Sequence, residues 1–276
     1  MRFLTAFATA SLVALTSGVA HAASVEVRDA VARVVVVPEA RSDVKVEVLA
    51  RNPSLPIQVR TDGDRTVIDG DLNHKIRSCN GVGDRVQVHV SGTGDIAYSD
   101  MPQLLIRVPM DAKVSAGGAV FGVVGRSASL DLASAGCGDW TVGNVDGKMG
   151  LSVAGSGDIR AGKSGGAMIR IAGSGDVITR AVSGPLEVSV AGSGDVTTGA
   201  VTGPLVVKVA GSGDVRIAGG AASTATVSVA GSGNVDFDGT AGSLTAKIAG
   251  SGDVNVRAVT GRVSKAIVGS GGVNIG

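Results

Sequence analysis

Along the second half of the chain, apolar and polar positions alternate with period two. Leu186, Val188 and Val190 fall on one side, with Glu187 and Ser189 between them. The next unit repeats this with Leu205, Val207 and Val209 against Val206 and Lys208, and a later one with Leu244, Ala246 and Ile248 against Thr245 and Lys247. Alternation of this kind marks half-buried strands rather than helices. A second, shorter alternating run follows in each unit: Val215 and Ile217, Val235 and Phe237, Val254 and Val256. Gly184-Pro185 and Gly203-Pro204 punctuate the other side of the unit as turns. No helix is predicted after the leading apolar segment.

The two runs are joined by one recurring string, Ala-Gly-Ser-Gly-Asp-Val. Its Asp falls at Asp158, Asp176, Asp195, Asp214 and Asp253, with Asn234 in the same place in one copy and Gly272 in the last. A degenerate copy, Ala135 to Trp140, opens the series. The spacings from Asp139 onward are 19, 18, 19, 19, 20, 19 and 19 residues. One such unit cannot bury its apolar side alone, whereas stacked units can, each strand lying on its counterpart about 4.8 Å away. The predicted fold class is therefore all-β: a parallel β-helix, or solenoid, with turns of about 19 residues and a narrow aliphatic core. Seven such steps make the regular part roughly 34 Å long. Glycine at the corners permits sharp bends and close approach of successive backbones.

The N-terminal part is less regular. Predicted strands are 25–27, 31–37, 44–49, 57–60, 66–68, 86–90 and 104–108. Val90 to Ile96 is an off-register echo of the repeated string, and 69–84 is predicted to be a surface loop. The strands read as earlier, wider turns of the same solenoid, with a small separate capping sheet as the alternative. The expected organisation is a signal peptide over 1–22 and one β-helix domain over 23–276, less regular in 23–115 and regular in 116–276.

The leader rests on Arg2, the apolar stretch Leu4 to Val19 and the small residues of Ala20-His21-Ala22, with cleavage expected after Ala22. The stretch is short for a membrane span, and no later segment is long and apolar enough to be one. The mature protein is thus expected outside the cytoplasm, in the periplasm or at the cell surface or beyond. Glycine makes up 43 of 276 residues and aromatics 2%, so the core has to be built from Val, Ile, Leu and Ala. The net charge of +1 leaves no basic footprint for nucleic acid and no polybasic membrane patch.

The leader, the Val-rich N-terminal part and the tandem Ala-Gly-Ser-Gly-Asp-Val turns together resemble the auto-transporter adhesin head GIN domain family, DUF2807. The resemblance implies a β-helix and a bacterial cell-envelope or secreted location, and brings no catalytic residues with it. The chain departs from an autotransporter in ending at Gly276 directly after the repeats, with no sequence for a translocating barrel.

The Asp column is the most visible candidate site. By the alternation, Gly192 and Gly194 point inward and Ser193 and Asp195 outward, so the carboxylates stack as a surface ladder. Two readings compete: calcium, which takes several carboxylate and carbonyl oxygens, and capping, in which each Asp accepts hydrogen bonds from backbone N–H groups of its own corner. Asn234, which caps but adds no charge, favours capping, as does the lack of the nine-residue calcium pattern. His74, Cys79 and His89 fit no standard zinc spacing, and Gly81-Val82-Gly83 is too short for a phosphate loop. Trp140 and Tyr98 are the single Trp and Tyr, few for sugar platforms. No catalytic, cofactor-binding or metal-ligating residue is therefore assigned, and no cofactor is expected.

An oxidising destination and an even cysteine count lead to the expectation that Cys79 and Cys137 pair, pinning the loop against the solenoid; two separate thiols are the alternative. Lys265 falls at an inward position one period after Ala246. There its charge has to reach the open end of the core, where it would discourage another chain from stacking; an end that docks a partner is the alternative. The expected function is that of a non-enzymatic, monomeric, exported adhesin or binding scaffold, acting through its surface on an unidentified glycan or protein. A carbohydrate-active β-helix enzyme, a polysaccharide lyase or hydrolase, is the alternative.

Overall fold

The computed structural model describes residues 23–81 and 83–276; the leader expected over 1–22 lies outside them. The chain begins in a long strand, β1 (Ser24–Glu39), followed by β2 (Lys45–Ala50), β3 (Gln58–Asp62) and β4 (Arg65–Asp69). Next come β5 (Ile76–Asn80), β6 (Gln87–Val90), β7 (Gly94–Ala97), β8 (Gln103–Pro109), β9 (Asp111–Val124) and β10 (Ser129–Gly136). From β10 on, every neighbour in the stack is the equivalent strand of the next turn, paired in parallel. Leu186–Gly192 lies on Leu205–Gly211, which lies on Ala225–Gly231, with Leu, Val and Ala meeting Leu, Val and Ala at each step. The short second strands stack likewise, Val196–Val201 on Val215–Ala222 and that on Val235–Ala241. Parallel bridges such as Ser164 to Val182 and Val182 to Val201 form a third, narrower side. The result is the parallel β-solenoid with about 19 residues per turn that the periodicity predicts, in roughly nine turns.

The core is a continuous aliphatic column. Its layers are of the kind Leu186, Val188, Val190 and Val196, each essentially without solvent exposure. Trp140 and Phe237 are its aromatic members. Two inward threonines, Thr179 and Thr198, satisfy each other through a 2.7 Å hydroxyl contact in the same column.

Gly-Ser-Gly makes the corner. The first glycine of each copy has a left-handed backbone, φ +138° at Gly192 and +134° at Gly211. A Cβ at Gly211 would also collide with the carbonyl oxygen of Gly192 in the turn before. The second glycine, as at Gly213, points inward, where a Cβ would strike the backbone carbonyl of Gly194. Both are needed because the turns approach through backbone alone at this edge.

The N-terminal part contains both architectures that the sequence leaves open. β1 and β9 are turns of the same solenoid that run straight through the corner. The first half of β1 pairs β4 and its second half pairs β8, while β9 lies along both halves on the other side. Asp29, with φ +49°, makes the corner of β1, and the register breaks there between Val27 and Ala30. β3 then pairs β4, and β2 pairs β8, in the antiparallel sense. This reversal of direction ends the parallel stack and covers the end of the core. Asp69, in β4, takes the backbone N–H of Asp71 and the guanidinium of Arg28, which together hold its carboxyl below the usual carboxylate range.

The remaining strands, β5, β6 and β7, form a separate three-stranded antiparallel sheet. The stretch 69–84 is therefore not a plain loop, since it contains β5; Ile76 and Cys79, on a strand otherwise made of polar residues, give too little alternation to reveal it. The sheet lies over the corner of the first turns through a second apolar cluster, in which Val88, Val90 and Ile96 meet Val31, Ala119 and Phe121. Cys79 of β5 is bonded to Cys137, with Cα atoms 6.1 Å apart, so the expected pairing is present. Cys137 holds the place that serine holds in later corners.

Lys265 stacks on Ala246, at the inward position expected of it. Its Nζ donates to the carbonyl of Val273, 2.8 Å away, beside Val263 and Ile267, which are exposed.

Two outcomes follow. Gly211→Ala is expected to cost about 2–3 kcal/mol, from overpacking plus the forced positive φ, while Ser212→Ala stays within about 0.5 kcal/mol. Urea midpoints of the two variants check this, and equal midpoints would mean that the corner yields. The Cys79–Cys137 bond spans 58 residues, for which chain entropy predicts about 4 kcal/mol of stabilisation. Titration of the oxidised, denatured protein should find no free thiol, and reduction should loosen the β5–β7 sheet first.

Candidate functional site

The Asp ladder is present and its chemistry is resolved by where the corner N–H groups point. Ser193 and Gly194 both donate to the one carbonyl of Gly173, at 3.0 and 3.2 Å. The N–H of Asp195 is thereby left without a backbone acceptor. It donates instead to Oδ1 of Asp176, at 2.8 Å. The same bond recurs along the column at 2.7–3.0 Å, from Asp158 N–H to Asp139 down to Gly272 N–H to Asp253. The acceptor is one turn away, not at the donor's own corner as the capping reading placed it. Asn234 serves as well as aspartate because one oxygen is all the bond requires; its Oδ1 accepts from Asp253 and its amide donates to Asp214. Each side chain thus staples its turn to the next.

The other sequence candidates do not converge. His74 is an exposed residue in a left-handed turn, φ +57°. His89 faces Asp95 across β6 and β7, with Nδ1 and Oδ1 2.6 Å apart. The sulfur of Cys79 is committed to the disulfide. Among the described residues no group of three His, Cys, Asp or Glu side chains is placed to hold a metal ion. Gly81 and Gly83 bracket Val82, which lies outside the described residues. Trp140 is buried with its ring over Gly122, where a Cβ would overlap the indole, so it cannot serve as a sugar platform. Tyr98 stands edge-on to Phe121 at 5.7 Å with Arg33 4.9 Å above its ring.

A second ladder, not singled out from the sequence, runs along the solvent side of the short strands. Register places Arg216, Asp236, Asn255 and Asn274 at successive turns of one outward column. The Asn274 amide donates to Oδ1 of Asn255 at 2.8 Å, the Asn255 amide to Oδ1 of Asp236 at 2.7 Å, and Arg216 to Oδ2 of Asp236 at 3.4 Å. Two residues further along each strand, Asp238 and Arg257 project to the same side. The two columns wall an open groove of about 720 Å³. A legible signal existed: Asp and Asn are depleted from strand interiors, yet they fill the second position after the corner in three consecutive turns.

A larger groove of about 870 Å³ lies along the long-strand face. Its floor is bare backbone at Gly147, Gly150, Gly165 and Gly166, and Met168 and Pro185 form an apolar wall, with Asp131 and Lys148 at its rim.

Residues 167–276 match the family described as "Putative auto-transporter adhesin, head GIN domain" (DUF2807). Before this match, Cys137 replaces the corner serine, Trp140 replaces an aliphatic residue, and the register breaks between Val145 and Lys148. The match takes in most of the Asp ladder and the whole second ladder. Among solved structures, the chain is similar to the crystal structure of a putative adhesin from Bacteroides fragilis NCTC 9343. The identity is 14% and the TM-score 0.41, over 92% of this chain and 93% of that one. No curated protein matches in sequence.

If the corner ladder is a backbone staple, Asp195→Asn should be neutral within about 0.5 kcal/mol, while Asp195→Ala, which orphans the N–H of Asp214, should cost about 1–3 kcal/mol. Calcium should leave the melting temperature unchanged in both wild type and variant. A site filled to a hundred times its dissociation constant would add about 2.7 kcal/mol, and a rise of that size would overturn the staple reading.

Proposed function

We propose that this protein is an exported, non-enzymatic adhesin-like scaffold that binds through the surface of its solenoid. The GIN-domain match over residues 167–276 carries this reading. The leader read from Arg2 to Ala22 supports export, and the bridge between Cys79 and Cys137 suits an oxidising compartment. The conspicuous carboxylates support a scaffold too, since the corner aspartates are spent on backbone N–H groups. No described helix is long and apolar enough to cross a membrane, and the chain is taken as a monomer whose partner is a glycan or protein met at the surface.

One observation favours a polysaccharide lyase or hydrolase as a second reading. Asp236 and Asp238 are alternate residues of one strand lining one groove. Alternate residues stand about 6.6 Å apart along a strand, close to the carboxyl spacing of inverting glycosidases, about 6.5–9.5 Å.

Two measurements test the leading reading. Fractionation of native cells carrying a tagged chain should place the processed protein outside the cytoplasm; an unprocessed cytoplasmic protein would refute export. Beads coated with the purified protein should be retained on layers of cells or on mucin- and matrix-coated glass. New reducing ends or unsaturated products from soluble polysaccharides, abolished by Asp236→Asn, would instead establish the enzyme.

A further inference from the structure

We infer that the groove between the column of Arg216, Asp236, Asn255 and Asn274 and the column of Asp238 and Arg257 is a binding site for a neutral glycan, lying along the solenoid axis. This rests on the proposal that the protein binds through its surface, and names the site and the class of ligand.

The argument begins with what the second ladder does not do. In the corner ladder one oxygen of each side chain takes a backbone N–H that would otherwise be orphaned, so the fold accounts for those residues. In the second ladder the hydrogen bonds run only from side chain to side chain. The strands beneath already pair completely through their backbones, Val235–Phe237 on Val254–Val256 on Val273–Ile275. Earlier turns fill the same outward column with Val123, Thr141, Arg160, Ile178 and Thr197, four of the five being β-branched residues of the kind strands prefer. The fold is therefore satisfied by such residues at this position. Three consecutive Asx side chains depart from that preference without serving the backbone.

What they do create is an oriented polar surface. Each amide is held by its neighbour, Asn274 on Asn255 and Asn255 on Asp236, and keeps a second N–H for a ligand in the groove these residues line. Groups ordered before binding lose less entropy when a ligand arrives. Each row offers a planar amide, carboxylate or guanidinium, with rows repeating at about 4.8 Å and alternate residues about 6.6 Å apart. Planar groups with adjacent donors and acceptors pair with two neighbouring hydroxyls at once, which is the pattern a pyranose presents along a chain. The charges select against other partners. Arg216 and Arg257 balance Asp236 and Asp238, so the charged side chains lining the groove sum to zero and favour neither an anionic nor a cationic ligand. An apolar peptide would have to strip these polar groups of water without pairing them, at a cost for each. A chain of hydroxyls replaces water bond for bond.

The test uses the full mature chain on an array of immobilised neutral, sulfated, sialylated and uronate glycans. The strongest neutral hit is then titrated calorimetrically as a soluble oligosaccharide. Wild type should retain neutral glycans in preference to charged ones. Asn255→Val, which places a β-branched residue where other turns already have one, should weaken binding about tenfold or more, equivalent to losing one or two well-made hydrogen bonds. Its melting temperature should remain near that of wild type. Arg160→Ala, on the same column but outside the groove, should bind as wild type does. Retention of charged glycans only, retention of none, or equal binding by Asn255→Val would overturn the assignment. A fall in melting temperature with glycan binding unchanged would show the ladder to be a stacking device and overturn it as well. The bead assay separates the two levels. If wild-type and Asn255→Val beads adhere equally, surface adhesion stands and this groove is not its site. If beads adhere nowhere yet the glycan binds through Asn255, the groove stands and adhesion does not.

Discussion

Everything in this molecule depends on the backbone hydrogen bonding of one turn to the next at the Gly-Ser-Gly corner. A solenoid has to change direction several times per turn, and at this bend the regular strand ladder is interrupted although the register is kept on either side. Here two N–H groups converge on a single glycine carbonyl, and the third is left over. Aspartate or asparagine one turn back accepts it. The glycines and the Asx residue are two halves of one solution: the first lets the backbones approach, the second repairs the hydrogen bond that the approach leaves open. A narrow aliphatic core with almost no aromatic residues becomes sufficient, because each turn contributes a full complement of interstrand hydrogen bonds as well as its buried Leu, Val and Ile side chains.

That arrangement frees the outer faces. Side chains pointing outward on the long and short strands neither fill the core nor satisfy the backbone, so they can vary along the stack while the solenoid persists. On the short-strand side they change from Val, Thr and Ile, with Arg160 among them, to a hydrogen-bonded run of Arg216, Asp236, Asn255 and Asn274. On the long-strand side a run of glycines opens a trough beside Met168 and Pro185. The N-terminal region handles the opposite problem, that of ending a stack. Antiparallel β2 and β3 close the core, and the β5–β7 sheet, tied down through Cys79 and Cys137, lies over the first corners.

The register of the repeats, the inward and outward assignment of each side chain, the corner glycines and the inward place of Lys265 were all legible in the sequence. They are local consequences of a period-two pattern repeated at a near-constant interval, and stacking identical units allows few alternatives. The Asp column was legible as a ladder, but its hydrogen-bond partner was not. The choice between a residue's own corner and the next turn depends on which carbonyl the preceding N–H groups have already taken, and no spacing in the chain records that. The β5 strand was hidden because it meets its neighbours edge-on with few apolar residues, and its place is set by contacts with Val31, Ala119 and Phe121 far away in sequence.

By itself, then, the sequence determined the solenoid, its pitch and its core, because periodic burial and glycine conformation act within and between adjacent units. The tertiary structure alone decided that β1 and β9 run through the corner as whole turns, that antiparallel strands terminate the stack, and that Asp236, Asn255 and Asn274 form one continuous hydrogen-bonded column beside Asp238 and Arg257. The side-chain column joins residues that meet only when turns about 19 residues apart are laid on one another, and the other features join strands much further apart in sequence, such as Ser24 with Lys113 and Lys45 with Arg107. A side chain's neighbours across that gap depend on the register of every bulge and insertion between them.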